Sequence, residues 1–131
     1  MKISNDFTVK DLHNFFNSLF PYLKLEVYNG KHEDFKGSPK KDEVSHDIKL
    51  SEISTSAAGS ELIISKDMKV SEFESLMAAQ YGLNVQVFRK SNDLWLQTSV
   101  TDDWTLEKQN GKGERSQLNL YPEQDIEMDM D

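Results

Sequence analysis

The sequence contains no cysteine, which excludes disulfide bonds, thiolate metal ligands and cysteine nucleophiles. It also lacks any run of about 20 apolar residues, the length that a membrane-spanning helix needs. The first ten residues, MKISNDFTVK, contain no apolar core of the kind that a secretory signal requires. These absences predict a soluble, cytoplasmic protein that does not associate with membranes.

Hydrophobic residues make up 37% of the 131 residues, which is enough to form one core. We expect a single domain over residues 1–121, with a mobile loop near residues 30–60. Residues 122–131 read PEQDIEMDMD and carry no basic side chain. An acidic segment of this kind at a chain end is typical of disorder, so we expect a disordered acidic tail.

The charge balance opposes binding to polyanions. The chain has 23 acidic and 15 basic residues, and its net charge is −8 at pH 7. Binding to phosphate backbones depends on clustered Lys and Arg that release counterions, so nucleic acid is an unfavoured partner. The same argument disfavours anionic membrane surfaces.

Local patterns predict a mixture of helices and strands. Apolar spacing and caps predict helices at about 9–19 and 72–81; the second begins with a Ser71–Glu74 capping box and ends at Gly82. Alternation or short apolar runs predict strands at 23–27, 44–50, 61–65, 84–90, 93–99 and near 118–120, with turn or loop segments at 101–106 and 110–113.

These elements predict an α+β fold. Two helices should pack on one face of a mainly antiparallel sheet of four to five strands, in the order α-β-(β)-β-α-β-β. The segments that begin at Thr8 and Lys69 are similar, since each opens a helix that leads directly into a strand. That similarity is common to capped amphipathic helices and by itself does not establish a duplication.

The two hairpin strands should present two different faces. A two-residue loop at Ser91-Asn92 would place Phe88 opposite Trp95, Val87 opposite Leu96 and Lys90 opposite Asp93. Face A then comprises Val85, Val87, Arg89, Leu94, Leu96 and Thr98. Face B comprises Gln86, Phe88, Lys90, Asp93, Trp95 and Gln97.

No catalytic motif is present, and the sequence predicts neither a metal site nor a cofactor. His13, His32 and His46 do not have the short fixed spacing of metal ligands, so we interpret them as surface histidines. Nucleotide-binding and nucleophile-elbow motifs are also missing.

Face B is the main candidate for a binding surface. If helices cover face A, an aromatic patch with amide and cationic neighbours remains open, and it suits recognition of a peptide, a sugar or a stacked ring. Another protein is the partner that we expect. The candidate binding residues are Phe88, Lys90, Trp95, Gln97 and Trp104. The alternative is that face B is buried, because large aromatic residues lie in the core more often than they form a ligand-binding surface.

Two other functions remain open. Asp102, Asp103 and Glu107 could carry out acid–base chemistry, as part of an enzyme or an accessory domain, if one of them had a raised pKa in a cleft. Alternatively, the interleaved residues Phe88–Lys90 together with Trp95 could bind single-stranded nucleic acid weakly. The leading interpretation is a small non-enzymatic binding or adaptor domain.

Two stretches resemble known proteins. Residues 85–98, VQVFRKSNDLWLQT, continued by residues 101–110, resemble a segment of small uncharacterised bacterial proteins, and this resemblance implies no activity. Residues 68–77, MKVSEFESLM, are similar to the way ubiquitin-like β-grasp domains enter their helix. The second resemblance implies a β-grasp variant as an alternative fold.

Overall fold

A computed structural model describes residues 6–29, 42–54 and 61–118 of the chain. Its elements follow in the order α1, β1, α2, α3, β2, β3 and α4. Their bounds are Val9–Leu19, Leu23–Tyr28, Leu50–Ile53, Val70–Tyr81, Asn84–Ser91, Leu94–Gln97 and Leu106–Leu118. The α+β class is confirmed. No helix among these residues combines the length and apolarity of a transmembrane span.

The sheet has three antiparallel strands in the order β1-β2-β3. Leu25 lies opposite Val87, and Val27 lies opposite Val85. These side chains share a core with Phe16 of α1 and Phe73 of α3, whose rings stack with centroids 5.1 Å apart. Burying a ring of this size contributes about 1.5–3 kcal/mol, so this pair helps to hold α1 and α3 on face A together with their aliphatic core residues.

Local signals explain the start of α1 and the end of α3. Thr8 caps α1 by accepting the N–H of Asp11 at 3.1 Å, and the Asp11 carboxylate accepts the Thr8 N–H at 3.0 Å. Gly82 ends α3 with a φ of 66°, in the left-handed region that favours glycine. The predicted bounds of α1 and the predicted role of Gly82 are therefore confirmed.

The predicted Ser71–Glu74 capping box is wrong. The helix begins two residues earlier than predicted, and the N–H of Lys69 donates to the Glu72 carboxylate at 2.8 Å. Glu74 is buried and accepts the backbone N–H of Val87 on β2 instead. The Ser-x-x-Glu spacing is present in the sequence, but the Glu74 carboxylate bonds to β2 and not to the start of the helix.

Backbone hydrogen bonds join the start of α1 to the start of α2, and the start of α3 to the start of α4. In the first pair, Val9 N–H donates to Ile48 O and Leu50 N–H donates to Phe7 O. The second pair repeats the arrangement, from Val70 N–H to Trp104 O and from Leu106 N–H to Met68 O. These bonds satisfy N–H groups that a helix start leaves without intrahelical partners. The similarity between the segments at Thr8 and Lys69 thus has a structural counterpart.

The described sheet has fewer strands than predicted. Segment 44–50 forms no ladder: Glu43, the residue before it, bridges Tyr28, and Lys49 near its end bridges Thr8. The chain then turns into α2, where the Glu52 carboxylate accepts the Lys49 N–H. Segment 61–65 buries Leu62 without forming a ladder. The ubiquitin-like β-grasp alternative is not reproduced by a three-stranded sheet in this order.

Helix α4 replaces the predicted loop at 110–113 and ends at Leu118, so of the predicted strand near 118–120 only the first residue is described, and it is helical. The helix crosses the ends of β1 and β2, where Asn110 Oδ1 accepts the Tyr22 N–H at 2.8 Å. A Cβ at Gly113 would lie 2.8 Å from Tyr22 Cβ, so glycine permits a close approach of helix to sheet. Residues 119–121, the mobile-loop residues 30–41 and 55–60, and the predicted tail lie outside the described residues.

Candidate functional site

The hairpin keeps the predicted faces but has a different register. Its two-residue loop is Asn92-Asp93, and Asn92 has a φ of 53°. Lys90 therefore lies opposite Trp95, and Phe88 lies opposite Gln97. The predicted pairs Phe88–Trp95, Val87–Leu96 and Lys90–Asp93 are wrong. Because the shift is two residues, each strand residue still points to its predicted face.

Four of the five predicted binding residues share face B, but they are not all open. Phe88 is only 8% exposed, whereas Lys90, Trp95 and Gln97 are partly buried. The ammonium of Lys90 lies 5.0 Å from the Trp95 ring centroid, and that of Lys24 lies 5.3 Å from it. Face B thus presents an indole between two cations rather than an open aromatic pair.

Trp104 lies apart from this group. The centroid of its ring lies 5.7 Å from the Arg89 guanidinium and 4.3 Å from the Lys108 ammonium. Arg89 points to the face opposite Phe88, since neighbouring strand residues alternate. The structure therefore does not bring Trp104 together with Trp95 on one surface.

Face A is uncovered at β3, so the condition under which face B would be the open face is not met along the whole hairpin. Leu94 is 66% exposed and Leu96 is 41% exposed. The core helices pack over β1 and β2, and their cover stops before the third strand. The exposed apolar side chains of the hairpin are therefore these leucines of face A.

The three carboxylates considered for acid–base chemistry do not converge. Asp102 is buried and its backbone carbonyl accepts the Ser71 N–H, whereas Asp103 is exposed. Glu107 is exposed and forms an ion pair with Lys66 at 3.3 Å. A spread of this kind does not place a proton donor and acceptor around one reacting atom.

A polar cluster that sequence reasoning missed surrounds Glu26 of β1. Glu26 is 3% exposed, and its Oε1 lies 2.6 Å from His46 Nε2. Its Oε2 lies 3.3 Å from Lys24 Nζ and 3.6 Å from His13 Nδ1. The only available sequence signal was a carboxylate in a short strand whose neighbours on both sides are apolar.

Next to this cluster, Tyr28 donates a hydrogen bond to Glu43 at 3.2 Å. Burial, then the negative charge and hydrogen bond of Glu43, then the charge of Glu26, raise the pKa of the Tyr28 phenol well above its usual range. An open cavity of about 190 Å³ lies beside Tyr28 and is lined by Val27, Asn29, Val44, Ile53, Gly82, Leu83 and Asn84.

Comparison with known proteins gives no relative: a scan against protein-family models, a search of curated proteins and a search of solved structures each found no match. Function must therefore be argued from the geometry.

Proposed function

We propose that this chain is a small binding domain that takes up an extended, acidic segment of a partner protein along the outer edge of β3. The observation that carries the proposal is the exposed and uncharged edge formed by Leu94–Gln97. Extended segments are commonly bound by addition to such an edge, where backbone hydrogen bonds give affinity and side chains give specificity.

The backbone geometry supports this mode of binding. Within the described residues, β3 pairs with β2 on one side and with no strand on the other. Since Thr98 N–H donates to Val87 O, the alternation of the ladder directs the N–H and C=O of Trp95 away from β2. These two groups are positioned to pair with an incoming strand.

The side chains of the edge support an apolar contact. Folded proteins protect edge strands with charges, prolines or bulges, because an unprotected edge pairs with other chains. The sequence LWLQ of β3 has none of these protections in its side chains, and both of its leucines are exposed. An incoming strand could place alternate apolar side chains against Leu94 and Leu96.

Charge favours an acidic partner. Lys24 and Lys90 flank Trp95 on face B, and Lys108 lies over Trp104. No carboxylate of the described residues forms an ion pair with Lys90. Lys90 stands out on a chain of net charge −8, so a carboxylate on the incoming segment would find a local partner there.

A peptide-binding measurement tests the proposal. The probe is an acetylated, amidated and fluorescein-labelled peptide that alternates glutamate with valine, and the control peptide has lysine in place of glutamate. We expect the full chain to bind the acidic probe and not the basic one. Trp95→Ala should weaken binding at least tenfold without lowering the melting temperature, since Trp95 is only partly buried.

Three results would refute this function. The first is a combination of two results: Trp95→Ala unfolds, and Lys90→Glu binds the probe as tightly as the unaltered chain does. The second is an equal loss of binding in Ile63→Ala, which alters an exposed apolar side chain outside the sheet. The third is a dimer in sedimentation that Leu94→Lys dissociates, since this would assign the edge to a second copy. Retention of single-stranded DNA at low salt would favour the nucleic-acid alternative instead.

A further inference from the structure

We infer that His13, Glu26 and His46 form a binding site for a divalent transition metal ion, with Zn²⁺ as the best-suited ion. Each residue offers one ligand atom, and these atoms lie within 4.8 Å of one another. In the described part of the chain this is the one group of three or more such side chains close enough to share an ion. The site is separate from the β3 edge.

The donor set has the chemistry of an open zinc site. Two imidazoles and one carboxylate are a common set of three protein ligands for Zn²⁺, and the fourth position is left to water or substrate. Hard cations such as Mg²⁺ and Ca²⁺ prefer oxygen ligands, so two imidazoles select against them. The class of ligand is therefore a nitrogen-preferring metal ion.

The surrounding groups hold the ligands as metal sites require. His13 Nδ1 lies 3.0 Å from the Leu25 carbonyl oxygen, and this contact requires a proton on Nδ1 because a carbonyl cannot donate. A metal ion would then bind through the other ring nitrogen, Nε2, which carries the lone pair, whereas Nδ1 is the atom that lies 3.6 Å from Glu26 Oε2. A backbone carbonyl that orients a ligating histidine in this way is a recurrent partner in metal sites.

The two carboxylate oxygens of Glu26 have different partners. Lys24 Nζ contacts Oε2 at 3.3 Å, while Oε1 faces His46 Nε2 at 2.6 Å. Lys24 thus anchors one oxygen and leaves the other for the ion. Tetrahedral coordination needs a nitrogen–oxygen separation of roughly 3.3 Å, given zinc–ligand bonds of about 2.0–2.2 Å. His46 must therefore move by less than about 1 Å, and its side chain is 40% exposed and lies outside regular elements.

Burial supplies a second reason to expect an ion. Glu26 is 3% exposed, and a buried carboxylate is costly without cationic partners. Gln86 lies directly opposite Glu26 on the same face and is fully buried, and its Oε1 has no hydrogen-bond partner. A divalent ion would add positive charge to that of Lys24 beside these two acceptors.

Zinc titration of the full-length, untagged chain tests the inference. We expect isothermal titration at pH 7.5 to give one site, and Co²⁺ to give the visible absorption of a tetrahedral complex. His46→Gln should weaken both at least tenfold, and this variant should fold because His46 is half-exposed. Binding should also weaken at pH 5.5, since protons compete for imidazole.

The chain offers a matched control in His32→Gln, which alters its remaining histidine. This variant should bind Zn²⁺ like the unaltered chain, and Zn²⁺ in large excess should raise the melting temperature of both by about 5 °C or more. An equal loss in His32→Gln would overturn the assignment. So would the absence of saturable binding by the unaltered chain, which would identify His13, Glu26 and His46 as a hydrogen-bonded charge cluster only. Neither result would affect the proposed edge-strand function.

Discussion

The carboxylate of Glu74 on α3 accepts the backbone N–H of Val87 on β2 at 3.1 Å, just beyond the last residue of β2 that pairs with β3. His13 holds the equivalent place in α1, since each is the fifth residue of its helix, and its ring contacts the carbonyl of Leu25 on β1. Helices α1 and α3 thus each send one polar side chain to backbone groups of the strand that follows them. Strands β1 and β2 therefore have the same kind of contact with the helix that precedes each of them.

Removal of the Glu74 carboxylate should leave a buried N–H without a partner. Glu74→Ala is expected to lower the free energy of unfolding by about 1–3 kcal/mol. Glu74→Gln should cost less, because its amide oxygen can still accept the bond. Urea denaturation measures both, and hydrogen exchange at the Val87 amide should speed up most in the alanine variant.

The exposed neighbour Ser75 supplies the control. Ser75→Ala should change the unfolding free energy by less than about 0.5 kcal/mol. Equal exchange rates at the Val87 amide in the alanine variant and the unaltered chain would contradict the role assigned to Glu74.

Local signals predicted α1, β1, α3 and the hairpin because their information lies within a few neighbouring residues. The cap at Thr8 and the left-handed residue Gly82 are examples. Helix α4 was missed because Gly111 and Gly113 resemble a loop in sequence. The reason for Gly113 is the distant residue Tyr22, which a local pattern cannot reveal.

The clusters around Trp95 and Glu26 illustrate the same limit. The alternation of β2 and β3 predicted which residues share face B, but the register depended on the turn conformation at Asn92. His13 and His46 meet at Glu26 only because α1, β1 and the segment before α2 pack together. The spacing of His13, Glu26 and His46 along the chain does not reveal that these side chains are in contact.

Tyr28 should make stability depend on alkaline pH. Its pKa is raised by burial and by Glu43 and Glu26, whereas a tyrosine in the unfolded chain ionises near pH 10. Above that pH the unfolded chain loses the phenolic proton first, so unfolding is favoured. The stabilisation is complete below about pH 10 and is lost as the pH rises further.

Tyr28→Phe tests this dependence. At pH 7 the variant should lose about 0.5–1.5 kcal/mol with the hydrogen bond to Glu43. Its unfolding free energy should then fall less steeply above pH 10 than that of the unaltered chain. Some decline should remain, because burial and the charge of Glu61 also raise the pKa of Tyr81. Urea denaturation between pH 7 and 11 gives the comparison, and parallel profiles would count against it.

The two glycines of α4 should respond to alanine with opposite signs. At Gly113 an added Cβ would lie 2.8 Å from Tyr22 Cβ and 3.0 Å from the Tyr22 carbonyl oxygen, so α4 would have to move away from the sheet. At Gly111 the nearest atom, Arg115 Nη1, would lie 3.4 Å away, which is an ordinary contact with a flexible side chain. Gly113→Ala should therefore destabilise the fold by about 1–3 kcal/mol.

Gly111→Ala should instead stabilise the fold by up to about 1 kcal/mol, because alanine has the higher helix propensity. The two substitutions make the same chemical change two residues apart in one helix, so each is the control for the other. Thermal and urea denaturation of both variants should give shifts of opposite direction. Destabilisation of similar size at both positions would mean that segment 110–113 is not held as a helix against the ends of β1 and β2.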